Sequence, residues 1–412
     1  MRKNKSAIEN FQKRNVLLLC MFLTPLMGLG LDLYTPSLPA ITSYFNVSAF
    51  SAKLTIILYI AGYGIALPFV GIVSDHAKRK SFIVTALAIY FISSCASAGS
   101  PSIGALYCYR IINSICAACI SVVLRSIIAD NFSGKSLAKA NNYYTMSWSL
   151  TPMIAPVIGG YLQHYLKWQA NFYFMALYSF VSILLCLYLL DAQSKKRINI
   201  ENFRLKNSAK RWKILFSDRL FLASVFILSV ANALLFLYYT VAPFIIQKTL
   251  HFNAAQYGEI MLLAGVSYVL GNLLNDRLLN YFSLKKLIGA GLIVSLIVII
   301  ISMALLKFLL IDTTLSIYMV TIPVFLVFLC DGLIFANIIT NILPRYSQFS
   351  GTATGLMAGL LNLIAAVIVS ISERLCNLHY LINLNMVYFI FIGIALFVFY
   401  SLIYNTCGVD EN

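Results

Sequence analysis

Three ionisable residues sit where so apolar a chain can least accommodate them: Asp32, Arg110 and Asp331. Asp32 follows Val16–Leu31, sixteen residues without a charge, and opens the string Asp32-Leu33-Tyr34-Thr35-Pro36-Ser37-Leu38-Pro39. A carboxylate inside a membrane helix costs roughly 2.5–3.5 kcal/mol on insertion scales, so such residues usually face a polar cavity and serve transport. Low-dielectric surroundings disfavour the charged form of a carboxyl, which makes Asp32 a candidate proton carrier. The competing reading is a helix end, since at 1.5 Å per residue Asp32 lies about 4–5 Å from the far edge of a roughly 30 Å core. Against that reading, a negative charge at a helix C-terminus opposes the macrodipole. Arg110, alone in an apolar stretch, needs a partner or water; it either tunes a proton-carrying acid or closes a structural ion pair. Asp331 suits a second protonation or substrate site, or an acid solvated at an inner mouth. Tyr34, Tyr238 and Tyr239 offer faces that stack on an aromatic or cationic substrate; packing and interfacial aromatic belts use the same residue type. Catalytic chemistry has no comparable foothold. His76, His164, His251 and His379 are scattered singly, and neither a metal-binding cluster nor a nucleophile motif occurs. No enzyme activity, cofactor or metal is expected.

The elements that must position these groups are membrane helices. The chain has 412 residues, 60% hydrophobic and 11% charged, where soluble domains hold about 25% charged residues. Twelve apolar stretches long enough to cross a bilayer are expected at 16–35, 54–73, 81–98, 103–126, 140–162, 171–190, 220–246, 256–275, 287–308, 314–339, 352–373 and 384–404. Gly62, Gly64, Pro68, Pro152 and Pro156 interrupt them in ways that neighbouring helices tolerate. The fold class is therefore all-α integral membrane protein.

The formal charge of +16 points to topology rather than to nucleic acid. With the N-terminus inside, 23 of the 30 Lys and Arg fall in cytoplasmic segments, nine of them in 191–219. Five fall outside: Lys53, Lys167, Lys248, Lys307 and Arg374. This is the positive-inside pattern, and it puts both termini in the cytoplasm. The start resembles a secretory signal but lacks a small-residue cleavage site and runs on into Asp32, so a retained span is expected. Cys116 and Cys119 have redox-motif spacing inside an apolar stretch, where cysteine serves as a small packing residue.

Five segments follow: a cytoplasmic N-terminal piece at 1–15, a six-helix bundle at 16–190, a basic linker at 191–219, a second six-helix bundle at 220–404 and a tail at 405–412. The linker's lysines and arginines suit an amphipathic segment on an anionic leaflet. An internal echo supports the division. Gly71-Ile72-Val73-Ser74-Asp75, with Arg79 and Lys80 beyond, is matched after the eighth span by Gly271-Asn272-Leu273-Leu274-Asn275-Asp276-Arg277, with Lys285 and Lys286 beyond. Parallel six-span repeats with a site between the halves are one organisation of secondary transporters. Gly351, Gly355 and Gly359 recur every fourth residue on one helix face, suited to close packing.

These residues resemble the major facilitator superfamily and, within it, the Bcr/CflA drug-resistance transporters of bacteria. The superfamily loop Gly-x-Leu-Ala-Asp-Arg-x-Gly-Arg-Lys is met by Gly71, Asp75, Arg79 and Lys80, with His76 and Lys78 departing from it. The resemblance implies that this loop is a conformational latch near Gly351 and Thr352. Arg110 matches the arginine of a second motif, and Ala155-Pro156-Val157-Ile158-Gly159-Gly160 resembles the antiporter motif Gly-Pro-x-x-Gly-Gly. The strings beginning at Asp32, Gly271 and Gly351 resemble subfamily patterns. By resemblance, spans 1, 4, 7 and 10 line the cavity, which places Asp32, Arg110, Asn232 and Asp331 there. The resemblance implies a monomer of two six-helix pseudo-repeats in a bacterial inner membrane. It also implies exchange of protons for a small drug-like molecule by alternating access, with Asp32 and Arg110 coupling the proton. Transport of a physiological metabolite such as a siderophore is the alternative, and a polytopic membrane enzyme a remote one.

Overall fold

A computed structural model describes residues 2–74, 78–190, 205–308, 313–375 and 380–404. Every regular element among them is helical. The first span is three pieces, α1 (Arg2–Leu23), α2 (Pro25–Asp32) and α3 (Leu38–Phe45), with a 3-10 turn at Thr35–Ser37. The breaks follow the chemistry. The Thr24 hydroxyl donates to the Cys20 carbonyl at 2.6 Å just before Pro25. Pro36 and Pro39 then remove two backbone donors beyond Asp32. Five further elements make the second to fifth spans: α4 (Ala49–Ser74), α5 (Arg79–Ala98), α6 (Ile103–Asn131) and α7 (Gly134–Ser149) with α8 (Thr151–Leu166). The sixth span is α9 (Gln169–Leu189).

Beyond α10 (Leu205–Ser217) come α11 (Arg219–Phe244), α12 (Ala254–Leu278), α13 (Leu284–Phe308), α14 (Thr313–Ile342), α15 (Ser350–Leu375) and α16 (Tyr380–Val398). A π-helical turn, Ile245–Thr249, extends α11. Eleven described helices or helix runs are long and apolar enough to cross a membrane. The twelfth, the expected fifth span, is divided at Leu150 into α7 and α8. Neither piece alone reaches membrane length. Pro152 starts α8 afresh, and α7 carries the polar run Lys139, Asn141, Asn142.

The pairing of helices repeats. In the first six spans α4 packs on α6, α5 on α6 and α9, and α2 on α8. In the second six, α12 packs on α14, α13 on α14 and α16, and α11 on α15. Span for span these are the same contacts, so the chain is two copies of one six-helix arrangement. The copies meet along two seams, α4 against α15 and α8 against α12. The linker helix α10 packs on α11 and α15, and its Trp212 meets Phe69 of α4 edge-on at 5.9 Å. Asp218 caps α11 through the Leu220 amide at 2.8 Å and accepts a bond from the Tyr346 hydroxyl.

Candidate functional site

Both seams are built on glycine. A Cβ at Gly160 would lie 2.3 Å from the Ala254 carbonyl oxygen, and one at Gly258 2.5 Å from that of Pro156. One at Gly265 would sit 2.5 Å from the Met153 Cα. The Tyr161 hydroxyl adds a bond to Glu259 at 2.7 Å. On the other seam, a Cβ at Gly64 would lie 2.9 Å from the Gly359 carbonyl, and Gly359 faces Pro68. Close approach of bare backbones, with van der Waals contact in place of side chains, is how lipid-embedded helices associate.

The tight glycine contacts do not run the whole length of the seams. A Cβ at Gly71, Gly351 or Gly355 would meet nothing within 4 Å among the described residues. These three lie toward the end that carries the basic loops. There α7 packs on α1, α2, α6 and α8, elements of its own half. At the opposite end the halves are joined: α3 packs on α11, and Gln247 donates to the Pro36 carbonyl at 2.8 Å. The glycine stripe therefore divides its work: Gly359 sits in the close contact with Gly64 and Pro68, while Gly351 and Gly355 have open space beside them among the described residues.

Asp32 ends α2 inside this joined region and is 2% exposed. Its Oδ1 is buried without a hydrogen-bond partner among the described residues. It faces the seam: Oδ2 lies 3.4 Å from where a Cβ on Gly28 would be, beside the Thr151 side chain of α8. From the second half, Tyr239 of α11 is buried, and Tyr257 of α12 approaches the turn beyond Asp32. Thr151 Oγ1 is likewise buried without a partner. The Thr35 hydroxyl donates to the Asp32 carbonyl at 2.9 Å, and the Tyr257 hydroxyl reaches Thr35 at 3.5 Å. The turn that carries Asp32 is thus met by both halves.

Arg110 is fully buried, yet no ion pair joins it to Asp32 among the described residues. Its guanidinium lies over the rings of Tyr59 and Tyr34 at 4.3 and 4.6 Å, with Phe172 at 5.9 Å. One nitrogen donates to the Gly30 carbonyl, two residues before Asp32, while Nε and the other terminal nitrogen have no partner among the described residues. Arg110 therefore holds the backbone that carries Asp32 rather than the carboxylate itself. Tyr34 is committed to this cage and to a bond with Thr55.

The antiporter-like string has two duties. A Cβ at Gly159 would fall 1.6 Å from the Leu33 carbonyl oxygen, so this glycine lets α8 lie against the end of α2. Gly160 faces the second half, and the Pro156 carbonyl lies against Gly258. Asn171 ties the same place together, donating to Ser37 at 2.8 Å, while Ser37 donates to Gln163 at 2.9 Å.

The other expected residues are spread more widely. Asp331 is 7% exposed and lines a cavity of about 10 Å³ with Ile227, Ser295, Leu292 and Ile392, inside the second bundle. Its neighbours come from α11, α13 and α16, so the structure does not bring it to Asp32. Tyr238 is buried edge-on against Phe328 at 5.8 Å, and Asn232 is partly exposed on α11. In the expected latch, Asp75 lies outside the described residues. Arg79 pairs with Asp130 at the end of α6 at 3.4 Å, and Lys80 donates to the Leu187 and Leu190 carbonyls at the end of α9. The echo residue Gly271 packs its backbone on Leu329 of α14, and Asn275 and Asn337 bond to each other at 2.7 and 3.3 Å.

Lys53 corrects one expectation. Instead of an outer-loop charge it is a fully buried residue of α4, paired at 2.5 Å with Glu373 of α15. Glu373, which the sequence reading passed over, is 1% exposed and also accepts from the Thr240 hydroxyl of α11. One sequence signal was available: Glu373 is the sole acid between Asp331 and Asp410.

The comparisons with known proteins agree with this architecture. The model of the Major Facilitator Superfamily matches residues 20–370. The chain belongs to that superfamily. It is 25% identical over 368 residues to an uncharacterized transporter of Rickettsia bellii (strain RML369-C), covering 87% of this chain and 89% of the relative. It is 26% identical over 274 residues to the multidrug resistance protein MdtL of Shewanella sp. (strain ANA-3), covering 66% of this chain and 68% of that one. Among solved structures, a D-xylose-proton symporter superposes with a TM-score of 0.74 at 14% identity, covering 94% of this chain and 97% of the other. A bacterial homolog of the human lysosomal transporter Spinster, inward-facing and unoccupied, gives 0.69 at 15% identity, covering 95% and 96%. The protein is a multi-pass membrane transporter of the superfamily, with the twelve-helix fold expected of it.

Proposed function

We propose that this transporter exchanges protons for small drug-like molecules across a bacterial inner membrane, in the manner of the Bcr/CflA group, with Asp32 as the exchanging acid. The observation that carries this reading is the placement of Asp32: one buried carboxyl at the end of α2, with Oδ1 unpartnered among the described residues and Thr151 of the seam helix α8 beside it. An unpartnered buried carboxylate oxygen is costly, so this arrangement suits the acid carrying its proton. Deprotonation then changes the electrostatics of the contact between halves, and proton and substrate compete through one conformational equilibrium. Multidrug naming of the MdtL relative supports a drug-like cargo and efflux.

In this reading the basic end is cytoplasmic, both termini lie there, and the conformation is open toward the cytoplasm. Gly160 and Pro156 set the close contacts over which the halves rock, Gly159 seats α8 on the backbone that carries Asp32, and Arg110 positions Asp32 by holding Gly30. A polycarboxylate cargo such as a siderophore is less well served, because the arginine nearest the acid is enclosed in the first bundle. The test is accumulation of a fluorescent organic cation in everted vesicles with an imposed pH gradient. Accumulation that collapses with the gradient is expected. Transport indifferent to the gradient overturns proton exchange, and uptake confined to anionic metabolites overturns the cargo class.

A further inference from the structure

The buried pair Lys53–Glu373 is not used by the coupling scheme above, and its position gives it work to do. Lys53 belongs to the first half and Glu373 to the second, 320 residues apart in sequence. They meet where α4 and α15 are joined, at the end opposite the basic loops. Both oxygens of Glu373 are occupied, one by the Lys53 ammonium at 2.5 Å and the other by the Thr240 hydroxyl. The Phe244 ring covers Lys53, 5.0 Å from its nitrogen. A charge pair with every carboxylate oxygen partnered is the condition under which burial is tolerated, and removing one partner leaves the other stranded.

We propose that Lys53 and Glu373 form a second proton-binding coupling site, which holds the outer face closed while Glu373 is ionised and releases it when Glu373 takes a proton. Resting on the alternating-access reading, it adds a site that exchanges protons with the outer side only. With the face closed, the ammonium, the carboxylate and the hydroxyl satisfy one another. Protonation turns the carboxylate into a neutral acid, while Lys53 keeps its charge and is better solvated apart. Opening in turn separates α4 from α15 and exposes Glu373 to outer water, from which the proton comes. By linkage, a proton that favours the open face is itself bound better by the open face. Water is close at hand, since Arg374, the next residue, is exposed with its guanidinium 5.8 Å from the Phe50 ring.

Among the described residues around the pair, Glu373 is the group that titrates in the carboxylate range. The helices packed on α15, which are α4, α10, α11 and α16, contain no Asp or Glu. Their nearby titratable groups are a base and phenols: Lys53 on α4, Tyr239 on α11 and Tyr388 on α16, whose hydroxyl donates to the Leu234 carbonyl at 2.6 Å. Lys248 of the π-turn lies 5.8 Å from the Phe244 ring. Around Lys53, α6 contributes Tyr107, which donates to the Ser51 carbonyl at 2.8 Å, and the acids Asp32 on α2 and Asp130 on α6 belong to the contacts described above.

Hydrogen–deuterium exchange of the full chain in lipid nanodiscs reads the outer face directly, without a transport assay. Glu373→Gln and Lys53→Met are each expected to speed exchange in peptides covering 49–60 and 240–250 by about fivefold or more, a coupling of ordinary size. The charge swap Lys53→Glu with Glu373→Lys is expected to return those peptides to within about twofold of the parent. After correction for intrinsic rates, lowering the pH through the carboxylate range speeds these peptides in the parent and not in Glu373→Gln. Parent-like exchange in both single variants overturns the proposal. So does faster exchange throughout, α6 included, that the swap fails to repair, because the pair then only holds the fold. If exchange moves as stated while vesicles show no proton-driven transport, the lock stands and the antiport reading fails.

Discussion

Replacing Gly159 by alanine tests whether α8 must lie directly on the backbone that carries Asp32. The added Cβ would sit 1.6 Å from the Leu33 carbonyl oxygen, against the 3.0 Å that real Cβ atoms keep, so the two backbones must part by about 1.4 Å. No flexible side chain can absorb the shift, because the atoms met are Leu33 O, C and Cα. Overpacking of this kind costs about 1–3 kcal/mol or more. Alanine recovers about 0.5–1 kcal/mol of helix entropy, so a net loss of about 1–2 kcal/mol is expected. Gly355→Ala is the matched control, since its Cβ would meet nothing within 4 Å and alanine should there be neutral or stabilising. Thermal unfolding in detergent should rank Gly159→Ala below the parent and Gly355→Ala at or above it. Transport by Gly159→Ala should fall with the displacement of Asp32. A Gly159→Ala protein as stable and as active as Gly355→Ala would refute the close-approach reasoning.

Further outcomes follow from neighbouring contacts. Arg110→Lys keeps the charge but loses the stacked guanidinium between Tyr34 and Tyr59, so a loss of about 2 kcal/mol or more is expected in thermal unfolding, with transport reduced accordingly. Tyr346→Phe removes a charge-assisted bond to Asp218 and should cost about 1.5–3 kcal/mol, read as a lower unfolding temperature.

Much of this was legible in the sequence, for identifiable reasons. Membrane helices announce themselves through uninterrupted apolar runs, and Asp32 through its cost in such a run. Pro156, Gly159 and Gly160 were readable as a compliant string, because glycine and proline act on the backbone locally. What they touch was not readable: that Gly159 faces Leu33 while Gly160 faces Ala254 depends on how three helices meet. Arg110 shows the same limit. Its depth in an apolar helix marked it as special, yet its partners turned out to be rings and a carbonyl rather than an acid. Lys53 looked like a loop charge because it stands near the start of its helix, and its partner lies 320 residues away. The expected fifth span, 140–162, falls within the longer run of α7 and α8, and the break between them at Leu150 follows from Pro152, a residue that membrane helices often carry without breaking.

If substrate and proton compete for the state of Asp32, proton release on binding measures that competition without a membrane gradient. Purified protein in weakly buffered detergent solution, with a pH-sensitive dye, is mixed with a fluorescent organic cation that the vesicles transport. The parent should release up to about one proton per molecule as substrate binds. Asp32→Asn should bind the same cation and release none. Undiminished proton release from Asp32→Asn would contradict the account.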